Sequence, residues 1–176
     1  MNPDARTSPD NYSGKFLADL ALVEQRVEEL KRSGRRVVFT NGGFDLLHVG
    51  HLRSLRGARS LGDHLIVAVN SDRSVKARKG RGRPIFPQEE RIELLSALEC
   101  VDTVIVFDEP TADRLLDRLR PHVHAKGTDY AAGAPEEATV RAYGGEVAIV
   151  GDPKGHSTSE IIARIRADDR NGEVER

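Results

Sequence analysis

Between Lys15 and Arg32, apolar residues at Phe16, Leu20, Val23, Val27 and Leu30 recur every three or four positions, and Ser33-Gly34 breaks the pattern. That spacing predicts a helix with one face on a core. Arg36-Val37-Val38-Phe39-Thr40 is different: its apolar run is continuous, as in a strand covered on both sides, and it leads into Asn41-Gly42-Gly43, where paired glycines permit a tight turn. Helical spacing returns from His48 to Leu61, Arg91 to Leu98, Thr111 to Leu119 and Ser157 to Ile165. Between these stretches lie four more strand candidates, Leu65-Ile66-Val67-Ala68-Val69, Val104-Ile105-Val106-Phe107, Val123-His124-Ala125 and Glu146-Val147-Ala148-Ile149-Val150. Alternating helices and continuously apolar strands predict an α/β, Rossmann-like single domain: a parallel sheet of about five strands with helices on both faces. In such sheets ligands bind beyond the carboxyl ends of the strands, at the point where strand order reverses.

A chain of 176 residues with 38% hydrophobic content can bury one such core unaided. The predicted boundaries are an N-terminal arm over 1–14, a domain over 15–167 and a frayed, charged tail over 168–176. The polar start reads as neither signal peptide nor anchor, and no apolar run reaches membrane-spanning length. Cys100 is the only cysteine; it excludes an internal disulfide and a cysteine-based zinc cage, fits a reducing cytoplasmic compartment, and reads as a buried residue closing a helix. With a formal net charge of -1, any attraction for anions must be local.

Two segments concentrate candidate chemistry. The first predicted strand runs into Gly42-Gly43-Phe44-Asp45-Leu46-Leu47-His48-Val49-Gly50-His51. Histidines three apart share one face of a helix start, where backbone amides and the helix dipole favour an anion, and Gly50 leaves the backbone open to a phosphate. The plain alternative is a pair of capping or surface histidines; zinc would need a third ligand, which no familiar spacing supplies. The second segment places six cations, Arg73, Lys76, Arg78, Lys79, Arg81 and Arg83, around Gly80 and Gly82. Such a run reads as a solvated face, a nucleic-acid patch without an aromatic platform, or a mobile loop closing over phosphates. Near the end, Ser157 with Glu160 forms a capping box, a helix start that can also hold phosphate.

Taken together, the Thr40-Asn41-Gly42 turn, Phe44-Asp45, His48 to His51, Asn70-Ser71-Asp72, Arg83-Pro84-Ile85, Lys126-Gly127, Asp129-Tyr130 and Ser157-Thr158 resemble the cytidylyltransferase-like nucleotidyltransferase superfamily, and within it the heptose 1-phosphate adenylyltransferase branch. The resemblance implies transfer of AMP from ATP to a sugar 1-phosphate, foremost D-glycero-β-D-manno-heptose 1-phosphate, with Mg²⁺ carried mainly by the triphosphate. It implies that His48 and His51 stabilise the α-phosphate, that Lys76 or Lys79, Arg91 and the Ser157-Thr158 helix start hold the departing pyrophosphate, and that Asn41, Gly42, Gly43, Phe44, Gly50, Lys126, Gly127 and Asp129 line the nucleotide site. Arg91 reads alternatively as an intrahelical salt bridge, and Asp45 as a turn former, a histidine-orienting group or a substrate contact. A homodimer, a separate sugar kinase upstream and no nucleic-acid or membrane partner complete the expectation. The alternatives are a glycerol 3-phosphate cytidylyltransferase, a pantetheine-phosphate or flavin adenylyltransferase, and a nucleotide sensor without catalysis. Gly43 stands where such relatives commonly carry Cys, Thr128 where they carry Gly, His124 where they carry an apolar residue, and Ser159-Glu160 where they carry Thr followed by a basic or amide residue.

Overall fold

The structure is a computed structural model that describes residues 14–152 and 157–172, with side chains through 167. The predicted arm, apart from Gly14, lies outside the described residues, as do Gly155 and His156 and the end of the predicted tail from 173.

The chain begins with α1 (Leu20–Arg32), whose N-cap Asp19 accepts from the Ala21 amide and whose Val23, Val27 and Leu30 are buried. Each such side chain contributes about 1.5–3 kcal/mol by leaving water. There follow β1 (Val37–Gly42), α2 (Val49–Arg59), β2 (His64–Asn70), α3 (Asp72–Lys79), α4 (Gln88–Ser96), β3 (Thr103–Phe107), α5 (Asp113–Leu119), β4 (Val123–Gly127), a 3₁₀ turn (Thr128–Tyr130), α6 (Glu137–Ala142), β5 (Glu146–Val150) and α7 (Thr158–Gly172). The five strands pair in the order β3-β2-β1-β4-β5, all parallel. Successive strand residues face opposite sides. Val38, Leu65, Val67 and Val69 pack with Leu55 and Ala58 of α2 and Ile92 and Leu95 of α4, whereas Val37, Phe39, Ile66 and Ala68 pack with α1, with Leu115, Leu116 and Leu119 of α5, and with Val140 of α6. The Rossmann-like sheet covered on both faces is thus as the patterning predicts. The strand order reverses between β1 and β4, so their carboxyl ends bound the natural ligand crevice.

Three local readings are corrected. The basic segment is not all loop: Ser71 caps α3 through the Ser74 amide, Asp72 sits in its first turn, and Gly80 ends it with φ 86°. The α4 helix stops at Ser96, so Cys100 lies in the following turn, half-buried against the α2 and α4 side of the core. The last helix passes the expected domain end at 167 and continues to Gly172. Among the described residues no helix is long and apolar enough to cross a membrane.

The turn feeding β2 presses against the start of β1. A Cβ on Gly62 would lie 2.6 Å from the Arg36 carbonyl oxygen and 2.7 Å from a Val38 methyl, both fixed by the sheet. Gly62→Ala should therefore lower stability by about 1–3 kcal/mol in denaturant titration; an unchanged midpoint would show that the turn can yield.

Candidate active site

The loop between β1 and α2 is built around a buried carboxylate. A Cβ on Gly42 would press on the Phe44 ring, 3.2 Å away. Phe44 and Leu46 adopt left-handed backbone conformations, φ 47° and 55°, which cost a side-chain-bearing residue about 1 kcal/mol or more each. Asp45, between them and only 1% exposed, holds the shape: its Oδ1 accepts from the amides of Ile85 (2.9 Å) and Phe86 (3.0 Å). Its Oδ2 lies 2.6 Å from Nη2 of Arg83 in an ion pair without hydrogen-bond alignment. The Asp45 carbonyl in turn accepts from Thr158 Oγ1 at 2.8 Å, docking the start of α7 on the loop. Asp45 is accordingly an anchor for three segments, not a free substrate contact.

His48 is the N-cap of α2 and His51 its third helical residue, joined in a reciprocal capping box. The Gly50 amide donates to His48 Nδ1 (3.1 Å), and the His48 amide donates to His51 Nδ1 (3.4 Å). A ring nitrogen that accepts carries no proton, so each neutral imidazole bears its hydrogen on Nε2, the side turned away from the helix backbone. The rings stack with centroids 3.9 Å apart, and Phe44 packs edge-on against His51 at 5.5 Å. Desolvation, then the charges of His48 and Lys79, push the His51 pKa down to about 4 against the opposing pull of Asp45. The capping reading is realised, and the cap sets the tautomer by keeping both Nδ1 atoms as acceptors.

Lys79, at the end of α3, is held below the usual lysine range by desolvation and by Arg83 and Arg78. Lys76 is exposed one turn earlier. Arg78 lies beside the loop, its Nη2 3.6 Å from where a Cβ on Gly43 would stand. Arg91 is not among the groups free to meet phosphate. Fully buried, it donates to the carbonyls of Phe86 (3.1 Å), Gly43 (2.6 Å) and Asn70 (2.8 Å) and to Asp72 (2.7 Å). The expectation of direct pyrophosphate contact gives way to a tie between the ends of β1 and β2 and the segment before α4.

At the strand-order reversal, Asn41 Oδ1 meets His124 Nε2 (2.9 Å) and Lys126 Nζ (3.2 Å). Lys126 also pairs with Glu136 at 3.2 Å and lies 4.1 Å from the centre of the Tyr130 ring. Buried and neutralised in this way, Lys126 is a structural cation, which corrects its assignment to the nucleotide. A cation, an acid and an amide from three elements meet here, and only the Lys126 and Asn41 positions were singled out by sequence; Glu136 carried no local signal. Gly127 has open space where a Cβ would stand, Thr128 bonds the Asp152 carbonyl (3.1 Å), and Asp129 is exposed. Ser157 Oγ accepts from the Glu160 amide (3.2 Å) while Glu160 accepts from the Ser157 amide (2.9 Å), the expected capping box. The loop, the histidines, Lys79, Arg78, Asn41 and the α7 start are thus brought to one end of the sheet. No three His, Cys, Asp or Glu side chains among the described residues cluster so as to hold a metal.

Removing the Arg91 guanidinium leaves the Gly43 and Asn70 carbonyls unpaired in the interior. Arg91→Leu should cost about 3–5 kcal/mol of stability, read by chemical denaturation, whereas a loss under 1 kcal/mol would refute the tie. Acid offers a second check. A histidine titrates near pH 6.5 in the unfolded chain but near 4 at His51, so between those values the unfolded state takes up the proton first. Stability should be complete above about pH 6.5 and fall as pH drops toward 4, with a shallower fall in His51→Gln; identical slopes would place the titration elsewhere.

Residues 39–164 match the cytidylyltransferase-like family model. The chain is 51% identical over 136 residues to a bifunctional protein HldE of Geobacter sulfurreducens, an alignment that covers 77% of this chain and 28% of that protein. It therefore spans about a third or less of the curated relatives it matches. Among solved structures it resembles a lipopolysaccharide core biosynthesis protein from Thermoplasma volcanium, with a TM-score of 0.57 at 28% identity over 69% of this chain and all of that one. A pantoate-β-alanine ligase from Francisella tularensis, with a TM-score of 0.55 at 12% identity over 82% of this chain and 68% of that one, shares the fold. The paired histidines on a helix start at the end of β1 thus sit inside the matched region, and the chain belongs to the cytidylyltransferase-like family.

Proposed function

We propose that this chain transfers the adenylyl group of ATP to a sugar 1-phosphate, with D-glycero-β-D-manno-heptose 1-phosphate as the substrate, giving ADP-heptose and pyrophosphate. The observation that carries the reading is the reciprocal cap of His48 and His51, which engages both Nδ1 atoms as acceptors and stacks the two rings at the start of α2, close enough to Lys79 for its charge to act on His51. Two Nε2–H donors suit the oxygens of a phosphate at which charge grows during displacement.

The sugar phosphate is already an anionic nucleophile, so no general base is required. One of its oxygens bonds to the α-phosphorus; the bond from that phosphorus to the bridging oxygen breaks, and pyrophosphate leaves with the electron pair. His48 and His51 hold the α-phosphate oxygens through Nε2–H, and the exposed Lys76 and Lys79 draw the leaving group. Mg²⁺, held mainly by the triphosphate oxygens, would supply charge that offsets the phosphates. A neutral His51 remains a competent donor well below neutral pH. The adenine and heptose assignments are supported by the matching motifs across the chain. The same reading places the protein in the cytoplasm, downstream of a sugar kinase.

The test is pyrophosphate release from ATP, CTP, GTP and UTP, each offered the β-heptose 1-phosphate, its α anomer and glycerol 3-phosphate. Release with ATP and the β anomer alone is expected; another productive pair would replace the substrate, and none would refute nucleotidyl transfer to this panel. His51→Ala should lower kcat about 10²–10³-fold with ATP affinity nearly unchanged, as for loss of one preorganised donor. Undiminished turnover would remove His51 from the chemistry.

A further inference from the structure

We infer that Asn41 is a phosphate-reading residue of this site and that His124 is the positioning residue that sets its amide, so that the Asn41 Nδ2 hydrogens face the ligand. The inference rests on the nucleotidyltransferase reading above and assigns it a further contact.

The orientation follows from chemistry. An ammonium can only donate, so the Asn41 atom 3.2 Å from Lys126 Nζ must be the oxygen. The same oxygen lies 2.9 Å from His124 Nε2, so that nitrogen must carry the ring's hydrogen, and Nδ1 must be the bare one. His124 is completely buried, and its Nδ1 has no partner among the described residues. Desolvation and then the Lys126 charge push its pKa down to about 4, so the ring is neutral and keeps this single tautomer at neutral pH.

The arrangement is costly and its yield is local. A buried ring nitrogen without a partner destabilises the fold, and an apolar side chain would avoid that penalty. What the imidazole supplies is one donor, spent on an oxygen that Lys126 already satisfies. Two donors on one side of the Asn41 amide forbid its flip and leave both Nδ2 hydrogens on the other side. Because Phe39 pairs with His124 in the sheet, Asn41 and Lys126, each two residues further along, continue the same face to its carboxyl edge. That edge is the crevice between β1 and β4, one residue before the glycines that lead to the histidine pair. The surroundings are cationic: Arg78 approaches Gly43, and its charge is felt at Lys126. Amide donors in a positive field suit an anionic oxygen, either of the triphosphate or of the sugar phosphate.

The experiment compares wild type, His124→Leu, His124→Gln, Asn41→Asp and the pair Asn41→Ala and Asn41→Ala/His124→Leu in pyrophosphate-release kinetics, varying each substrate separately, with Tm recorded for all. His124→Leu should raise KM for one substrate about tenfold with Tm unchanged or higher, and the substrate whose KM rises identifies the phosphate. His124→Gln, which keeps a donor near the Nε2 position, should restore most of the affinity. Adding His124→Leu to Asn41→Ala should cost nothing further, since the histidine acts through the amide. Unchanged KM values in His124→Leu, losses that track a lowered Tm, or multiplicative losses in the double variant would overturn the inference. Should His124→Leu fail to fold, Asn41→Asp decides, because it preserves both buried acceptor contacts and removes the donors: an unchanged KM for both substrates refutes the contact. If wild type releases no pyrophosphate, the nucleotidyl-transfer reading fails by itself, and calorimetric titration of wild type and Asn41→Asp with ATP still tests the amide, equal affinities counting against it.

Discussion

A carboxylate as deeply buried as Asp45 costs several kcal/mol unless its charge and lone pairs are answered. Here two amides and a guanidinium answer it, and all three come from the segment 83–86, well away in sequence. The loop after β1 therefore cannot adopt its shape until the chain beyond α3 has packed over it. Two left-handed residues flank Asp45, a conformation that local sequence would not favour and that only such a tie sustains. Thr158 bonds the same residue's carbonyl, so the start of α7 depends on the loop as well. The glycine turn, the basic segment and the last helix thus form one unit rather than three neighbouring features.

That unit determines how the histidines work. A helix start invites the view that its own amides would bind the anion, yet the Gly50 amide is spent on His48 and the His48 amide on His51. On the proposed reading, the groups offered to the anion are instead the imidazole edges, displaced outward from the helix by the width of the rings. For the proposed chemistry the neutral form of His51 is an advantage. A charged imidazole would attract phosphate in the ground state and the transition state alike, whereas a neutral donor contributes mostly as charge accumulates on the oxygen it touches.

The strands, their parallel pairing and the histidine pair were legible because each rests on local periodicity: continuous apolar runs for β1 and β2, and a three-residue spacing at a helix start. The capping residues of α3 were legible too. Ser71, Asp72 and Gly80 are ordinary start and stop signals, but the density of arginine and lysine around them drew the segment toward a loop reading. What sequence did not disclose is which charged residues are buried. Arg91 looks like a phosphate ligand and Lys126 like a nucleotide contact by type and position; only tertiary packing shows the first filled with backbone carbonyls and the second with Glu136 and Asn41. Asp45 was open among three roles for the same reason, since its partners lie some forty residues on.

Removing these buried groups from the phosphate-binding set sharpens the electrostatics. A chain with net charge -1 has no general attraction for a triphosphate, and the cations nearest the loop that remain exposed are few: Lys76, Arg78, Lys79 and Arg81, on α3 and the turn after it. None of these four forms an ion pair with an acidic side chain among the described residues, whereas their neighbours Arg73 and Arg83 are paired with Asp108 and Asp45. The unpaired cations lie at the Gly80 end of the helix, where its dipole is negative and favours cations, so their concentration there stabilises α3. Lys79, whose pKa is lowered first by desolvation and then by the charges of Arg83 and Arg78, gains a counter-charge when a polyanion arrives. On the proposed reading, binding would then be strongest for the ligand that brings the most charge to this one spot.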